Sequence, residues 1–260
     1  MLSEADRKTA AGLLIEAQRS VTPTEQLDIR FPGIEIADSY AIQRETLAAR
    51  LAQGARLRGH KIGLTSKAMQ ATAGISEPDY GYLLDDMFHA DGESIAVERY
   101  IAPRVEVELA FVLSRPLRGP GVTLFDVLDA TAYVQPALEL IDGRSRYPRR
   151  IVDNIADNAA AAGVVLGGRV IRPLELDLRR VGALLYRNAV IEESGVAAAV
   201  LGHPAMGVAW LANKLAQHGT ELEAGHVILA GSFTRTVAVA AGDTIHADYG
   251  ELGGIAVYFS

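Results

Sequence analysis

Two hydrophobic patterns divide the chain. Over the first 55 residues, apolar positions recur at helical spacing. "SEADRKTAAGLLIEAQRS" carries helix formers behind a Ser3 start, and "DSYAIQRETLAARLAQG" runs from an Asp38 cap to a Gly54 stop. "TPTEQLDIRFPG" between them reads as a loop. From Lys61 onward, strand-like runs take over: "HKIGL", "VEVELAFVL", "ALELI", "GVVLGG", "GALLYRN", "AVIEES", "HVILAGS", "TRTVAVA", "DTIHADY" and "GIAVYF". Gly, Asp and Asn punctuate them. Three helices interrupt the series, "TLFDVLDATAY" from Thr123, "DNIADNAAAA" from Asp153 and "HPAMGVAWLANKLAQHG". The last has Pro204 near its first turn and Gly219 just past its end. A helical region at 1–58 and a β-rich region at 59–260 predict an α+β protein. So many strands usually close into a barrel or roll.

The sharpest alternation is "RVEVELAF" at 104–111. Val105, Val107, Leu109 and Phe111 share one strand face, and Glu106 and Glu108 share the other. The strand rise sets their Cβ atoms about 6 to 7 Å apart. Carboxylates at that separation repel unless they are solvated or bridged by a cation. Glu139, flanked by Leu138 and Leu140 in "PALELID", is a third acid inside an apolar strand. Three such carboxylates suit a hard divalent cation such as Mg²⁺. The competing reading is a solvent-exposed, acidic sheet face.

Composition narrows the classes. Nearly half of the 260 residues are hydrophobic, which supports a sizeable core in one large domain. The net charge is −7 and the cations are scattered, which argues against nucleic-acid binding. There is no cysteine, so disulfides and thiolate metal sites are excluded. "MLSEADRKTA" lacks the apolar core of a signal peptide. The small-residue run between Asn158 and Gly168 is too short and glycine-rich to span a bilayer. The expectation is a cytoplasmic protein that does not engage membranes.

Other candidates each carry two readings. Lys61, leading into an apolar strand, is either a catalytic base or carboxylate anchor whose pKa is lowered by burial, or a solvated strand-start lysine. Asp79 in "SEPDYGYLLDDM" is either an acid–base group or a former of a Pro-Asp turn. "AGSFTR" offers backbone and hydroxyl donors for a carboxylate, or is an ordinary turn. The six histidines show no ligand spacing, and His203 reads as a helix start. Met69, Met87 and Met206 read as packing residues. Arg144, Arg146, Arg149 and Arg150, in the short stretch "GRSRYPRRIVDNIADNAA", are expected to be solvated.

Taken together, "GHKIGLTSKAMQ", "EPDYGYLLDDMF", "PRVEVELAFVL", "ALELID", "DNAA", "GALLYRN", "HPAMGVAWLANKLA" and "GSFTR" give a close family resemblance. The chain resembles the 2-keto-4-pentenoate hydratase and 4-oxalocrotonate decarboxylase group of the fumarylacetoacetate-hydrolase superfamily. The motifs keep their order over nearly the whole chain. The resemblance implies a mixed β-roll behind a helical N-terminal region. It implies Mg²⁺, with Mn²⁺ as an alternative, on Glu106, Glu108 and Glu139. It places Lys61 and Asp79 in the catalytic site and Ser232, Thr234 and Leu84 against the substrate. The implied activity is hydration of 2-oxo-hept-4-ene-1,7-dioate, a 2-oxo dicarboxylic acid of homoprotocatechuate breakdown. The alternatives are hydration of a shorter 2-oxo-4-enoate such as 2-oxopent-4-enoate, and decarboxylation of 4-oxalocrotonate. The stretch after "ELID" is shorter here than in the family member compared, which bears on specificity for the distal carboxylate. Homo-oligomers are implied, a decamer being one size.

Overall fold

A computed structural model describes all residues from Met1 to Ser260. Three helices open the chain, α1 (Glu4–Ser20), α2 (Leu27–Arg30) and α3 (Ile36–Ala52). The strand-rich part follows as β1 (Leu57–Gly63), α4 (Lys67–Ala73), β2 (Asp79–Leu84), β3 (Phe88–His89), β4 (Ser94–Ile95), β5 (Arg104–Leu113), α5 (Leu124–Ala130), β6 (Thr131–Ile141), α6 (Ile151–Ala156) and β7 (Ala161–Leu166). It ends with β8 (Gly182–Arg187), β9 (Val190–Val196), α7 (Pro204–Ala216), β10 (Val227–Leu229), β11 (Val237–Ala238), β12 (Thr244–Asp248) and β13 (Gly254–Phe259). No helix is long and apolar enough to cross a membrane.

The termini of the helices follow local chemistry. The Ser3 hydroxyl accepts from Asp6 N–H and starts α1. At α3 the cap is Glu35, and Asp38 closes a capping box three residues inside the helix. Asp38 is therefore within the helix and not its cap. Ser66 caps α4, Thr123 caps α5, and the His203 ring nitrogen accepts from Ala205 N–H ahead of α7. The expected loop between the first two long helices contains the single turn of α2, whose Leu27 N–H is capped by buried Asp153 at 2.6 Å.

Two mixed sheets form the body. The larger runs β2-β1-β10-β5-β6-β7-β3, with β11 also paired to β5, and the smaller runs β4-β13-β12-β8-β9. The apolar face of β5 (Val105, Val107, Leu109 and Phe111) joins Ile245, Ala247, Ile255 and Val257 in the main core. The larger sheet curls, so the turn before β7 reaches β2. Asn158 spans that seam, accepting from Tyr82 N–H at 2.7 Å and donating to Tyr82 O at 3.0 Å. The roll expected from the strand pattern is thus formed as a curled sheet backed by a second one.

Two local expectations are corrected. Asp79 does not form a turn, because it opens β2, every residue of which is buried. The anticipated helix "DNIADNAAAA" ends at Ala156, despite the helix preference of alanine. Asn158, Ala159 and Ala160 all adopt positive φ (54°, 48° and 60°), a left-handed run that non-glycine residues rarely tolerate. Tertiary contacts of Asp157 and Asn158 hold it, and β7 starts immediately after.

Candidate active site

Strand register assembles the acids. β5 and β6 pair antiparallel with Glu106 directly opposite Glu139, and Glu108 lies two residues along the same face. One oxygen from each of the three lies within 4.8 Å of the others. They are not on a solvated face: Glu108 and Glu139 are fully buried and Glu106 is 9% exposed. Gly231 N–H donates to Glu108 Oε2 at 2.7 Å. Glu108 Oε1 and both Glu139 oxygens are buried without a hydrogen bond.

Lys61 reaches the cluster from β1. Its Nζ stands 3.1 Å from Glu139 Oε1 as an ion-pair neighbour, and it donates to Ala159 O at 3.2 Å. The left-handed run after Asp157 thereby serves the site, since it turns a carbonyl toward the lysine. Lys61 is buried, which excludes a solvated strand-start role. Burial alone lowers a lysine pKa, but the carboxylates of Glu139, Asp79, Glu106 and Glu108 outweigh it and hold Lys61 above its ordinary value. The lowered pKa expected from burial is therefore reversed.

One ammonium cannot balance three acids. Burial, then Glu139, pushes the Glu106 carboxyl up to about 8. Burial, with Glu139 and Glu106 beside it, holds Glu108 well above the carboxylate range, and burial raises Glu139 against the pull of Lys61. The unpartnered oxygens, the all-oxygen donor set and the surplus negative charge fit a hard divalent cation.

Asp79, at the start of β2, is opposite Gly63 of β1, and Lys61 is opposite Gly81. A Cβ added at Gly63 would lie 2.3 Å from Asp79 Oδ1 and 3.4 Å from Lys61 Nζ, so the missing side chain lets the two functional groups face each other. Asn154 Nδ2 donates to Asp79 Oδ2 at 2.8 Å, while Oδ1 is buried and unpartnered. Burial raises the Asp79 pKa and Lys61 opposes that shift.

Ser232 and Thr234 sit beside β5. The Ser232 hydroxyl is within reach of Val107 O (3.2 Å) and Thr234 O (2.9 Å), and it lies close enough to Glu106 to lower its pKa. The Thr234 hydroxyl accepts from Val107 N–H at 3.4 Å. Both hold "GSFTR" against the glutamate strand. Gly231 within it has a φ of 125°, and a Cβ there would lie 2.5 Å from Thr65. Leu84 is placed elsewhere. Alternation along β2 sends Asp79, Gly81 and Leu83 toward the lysine face and Tyr80, Tyr82 and Leu84 to the other. Leu84 is buried and lines a small cleft with Leu14, Arg50 and Tyr82.

The arginine stretch also departs from expectation. Arg146 and Arg150 are exposed as anticipated. The Arg144 side chain is 7% exposed and that of Arg149 is 6% exposed, and both pair with buried Asp157. Arg144 also donates to the Asp142, Ala161 and Asp157 carbonyls. A buried acid needs such partners, and although Asp157 opens the "DNAA" motif, nothing in its immediate sequence announces that it is buried or which arginines meet it. The roles of Asn154, the Ala159 carbonyl and Gly63 were likewise missed, although Gly63 and Ala159 lie within quoted motifs, since a backbone carbonyl, an amide and a missing side chain carry no spacing signal.

Known proteins resemble this chain over nearly its whole length. The family model for the fumarylacetoacetate (FAA) hydrolase C-terminal region matches residues 52–258. The 2-oxo-hept-4-ene-1,7-dioate hydratase of Escherichia coli is 59% identical over 253 residues, covering 95% of each chain. The 2-hydroxyhexa-2,4-dienoate hydratase of Comamonas testosteroni is 41% identical over 239 residues, covering 91% of this chain and 90% of its own. The structure of 4-oxalocrotonate decarboxylase from Pseudomonas putida G7, complexed with magnesium and adipate, superposes with a TM-score of 0.97 at 36% identity, over 100% of this chain and 99% of that one. With its curled sheet, its acid cluster and these matches, the chain belongs to the fumarylacetoacetate hydrolase family.

Proposed function

We propose that this chain is a divalent-metal-dependent hydratase that converts 2-oxo-hept-4-ene-1,7-dioate to 4-hydroxy-2-oxoheptanedioate. The observation that carries the reading is the buried cluster of Glu106, Glu108 and Glu139 with Lys61 at 3.1 Å. The seven-carbon diacid is supported by the 59% identity to the Escherichia coli hydratase of that name. Glu106, Glu108 and Glu139 would hold Mg²⁺, or Mn²⁺ in its place. The cation, when bound, supplies Lewis-acid polarisation of a 2-oxo acid.

The chain's own groups account for orientation and proton movement. Lys61, held charged by its acidic neighbours, binds the substrate carboxylate or the developing enolate oxygen. Asp79, whose pKa burial raises against the pull of Lys61, exchanges a proton with the substrate carbon skeleton. The dienol gains a proton at C5, gives up its 2-hydroxyl proton and becomes a conjugated ketone. Water then adds its oxygen at C4, the electrophilic end, and a proton goes to C3. Ser232 and Thr234 hold the loop that closes this side of the site, with Ser232 beside Glu106. An assembly of several copies, a decamer being one size, and a cytoplasmic location complete the reading. Exposed Val190 and Ile191 on the edge strand β9 support contact between copies.

A second reading, decarboxylation of 4-oxalocrotonate, is favoured by the fit to the Pseudomonas putida G7 decarboxylase. The same cluster would stabilise the enolate left after loss of CO₂. Mass spectrometry of the products separates the two. Incubation with 2-hydroxyhepta-2,4-dienedioate should give a gain of one water with Mg²⁺ and none with EDTA. No gain there, together with loss of CO₂ from 2-oxohex-3-enedioate, would replace the hydratase reading by the decarboxylase.

A further inference from the structure

A chain of hydrogen bonds behind Asp79 determines which of its oxygens can carry a proton. The Arg149 guanidinium lies over the Tyr147 ring at 4.7 Å and donates through Nη1 to Asp157 Oδ2 at 2.8 Å. Its Nη2 donates to Asn154 Oδ1 at 3.0 Å. A guanidinium has donors only, so the amide atom facing Arg149 must be the oxygen. The amide cannot turn over without setting N–H against N–H. Its Nδ2 is therefore fixed toward Asp79 Oδ2, 2.8 Å away. That oxygen accepts from the amide, which disfavours a proton on it, because a carboxyl O–H oxygen is a weaker acceptor than the carbonyl oxygen. The other, Oδ1, is buried, unpartnered and turned toward Gly63 and Lys61.

We infer that Asn154, oriented by Arg149, is a positioning residue that restricts the exchangeable proton of Asp79 to Oδ1, on the side of Lys61. The inference rests on the reading of Asp79 as a proton-exchanging group of the site. Without the amide donor, Asp79 can rotate and carry its proton on either oxygen. The fraction poised for transfer then falls, while the contacts that bind substrate stay in place.

Asn154→Asp is the informative variant, because it keeps the side-chain shape and removes both donors. Asn154→Ala and Arg149→Lys accompany it, the latter keeping a charge for Asp157 while losing the second donor. Misplacement of a proton-transfer group predicts a kcat loss of roughly 10- to 100-fold in N154D and N154A, with KM within about threefold of wild type. R149K should lose less. Combining Asn154→Ala with Asp79→Asn should be no slower than Asp79→Asn alone, because both act through one group. Wild-type kcat in N154D beside an inactive D79N would overturn the inference and leave the site reading intact. So would a double variant in which the two losses multiply. Full activity in D79N would instead overturn the reading of Asp79 itself, and this inference with it.

Discussion

Replacing Glu108 with glutamine separates two consequences of one charge. The substitution keeps the side-chain volume, and the amide oxygen can still accept from Gly231 N–H at 2.7 Å. It leaves no cavity. What it removes is a buried acid that, once ionised, has carboxylate oxygens of Glu106 and Glu139 within 4.8 Å. Two unit charges at that distance repel by about 3 kcal/mol at an effective dielectric of about 20. In EDTA near pH 8.5, where protonation of the acids gives least relief, E108Q should therefore be the more stable protein. A gain of that size corresponds to a rise in Tm of roughly 5 to 10 °C for a chain of this length. With Mg²⁺ the order reverses. A cation present at about 100 times its Kd stabilises the wild type by about 2.7 kcal/mol, whereas E108Q lacks one of three ligands and should respond little. Turnover of the dienol should be lost. Differential scanning calorimetry with EDTA and with Mg²⁺ reads both effects. A Tm for E108Q below wild type in EDTA, or an undiminished Mg²⁺ response, would refute the argument that the three acids are held for a cation.

Lys61→Met should weaken the cation-free fold by about 3 to 5 kcal/mol, because Glu139 loses its ammonium at 3.1 Å while staying buried. The same variant should bind Mg²⁺ more tightly in calorimetric titration yet turn over at least about 100-fold slower; weaker binding with wild-type turnover would count against both roles. The stability of cation-free protein should fall as pH rises from about 4.5 to about 8, because the folded protein keeps the Glu106 proton up to about 8 and the unfolded chain releases it near 4.5. Glu106 alone gives a slope of about 1.4 kcal/mol per pH unit, Glu108 and Glu139 act in the same direction, and urea titrations in EDTA at pH 5 and pH 8 measure the sum. A flat or rising trend would contradict the burial of the acids. Gly63→Ala would bring a methyl to 2.3 Å from Asp79 Oδ1 and push that carboxyl aside. It should cost roughly 100-fold in kcat while Mg²⁺ affinity stays within about threefold, and equal losses in both would point to general damage.

Local pattern determined much of this protein. The alternation in "RVEVELAF" fixed that Glu106 and Glu108 share a face, because side chains in a strand repeat every second residue. Helix caps at Ser3, Thr123 and His203, and the start of α4 at Ser66, are likewise readable from neighbours in the chain. The motif order was enough to bring Glu139 and Lys61 into the same site by resemblance. Register and burial lay outside its reach. Glu139 is opposite Glu106 only because β5 and β6 pair as they do, across more than 30 residues of chain. Whether a carboxylate faces water or the interior depends on the second layer, here the curl of the sheet, and no spacing encodes that. The same holds for Asp79, which a Pro-Asp pair marks as a turn and the sheet takes as a strand. It holds for the alanine run at 159–162, whose helix preference is overridden where Asn158 ties the turn to β2. And it holds for Arg144 and Arg149, which look solvated beside Arg146 and Arg150 until Asp157 is found buried between them. Sequence determined which groups the chain brings to the site, because periodicity and capping act over a few residues. Tertiary structure decided which of them meet and in what charge state, because pairing, burial and desolvation act between residues far apart in the chain.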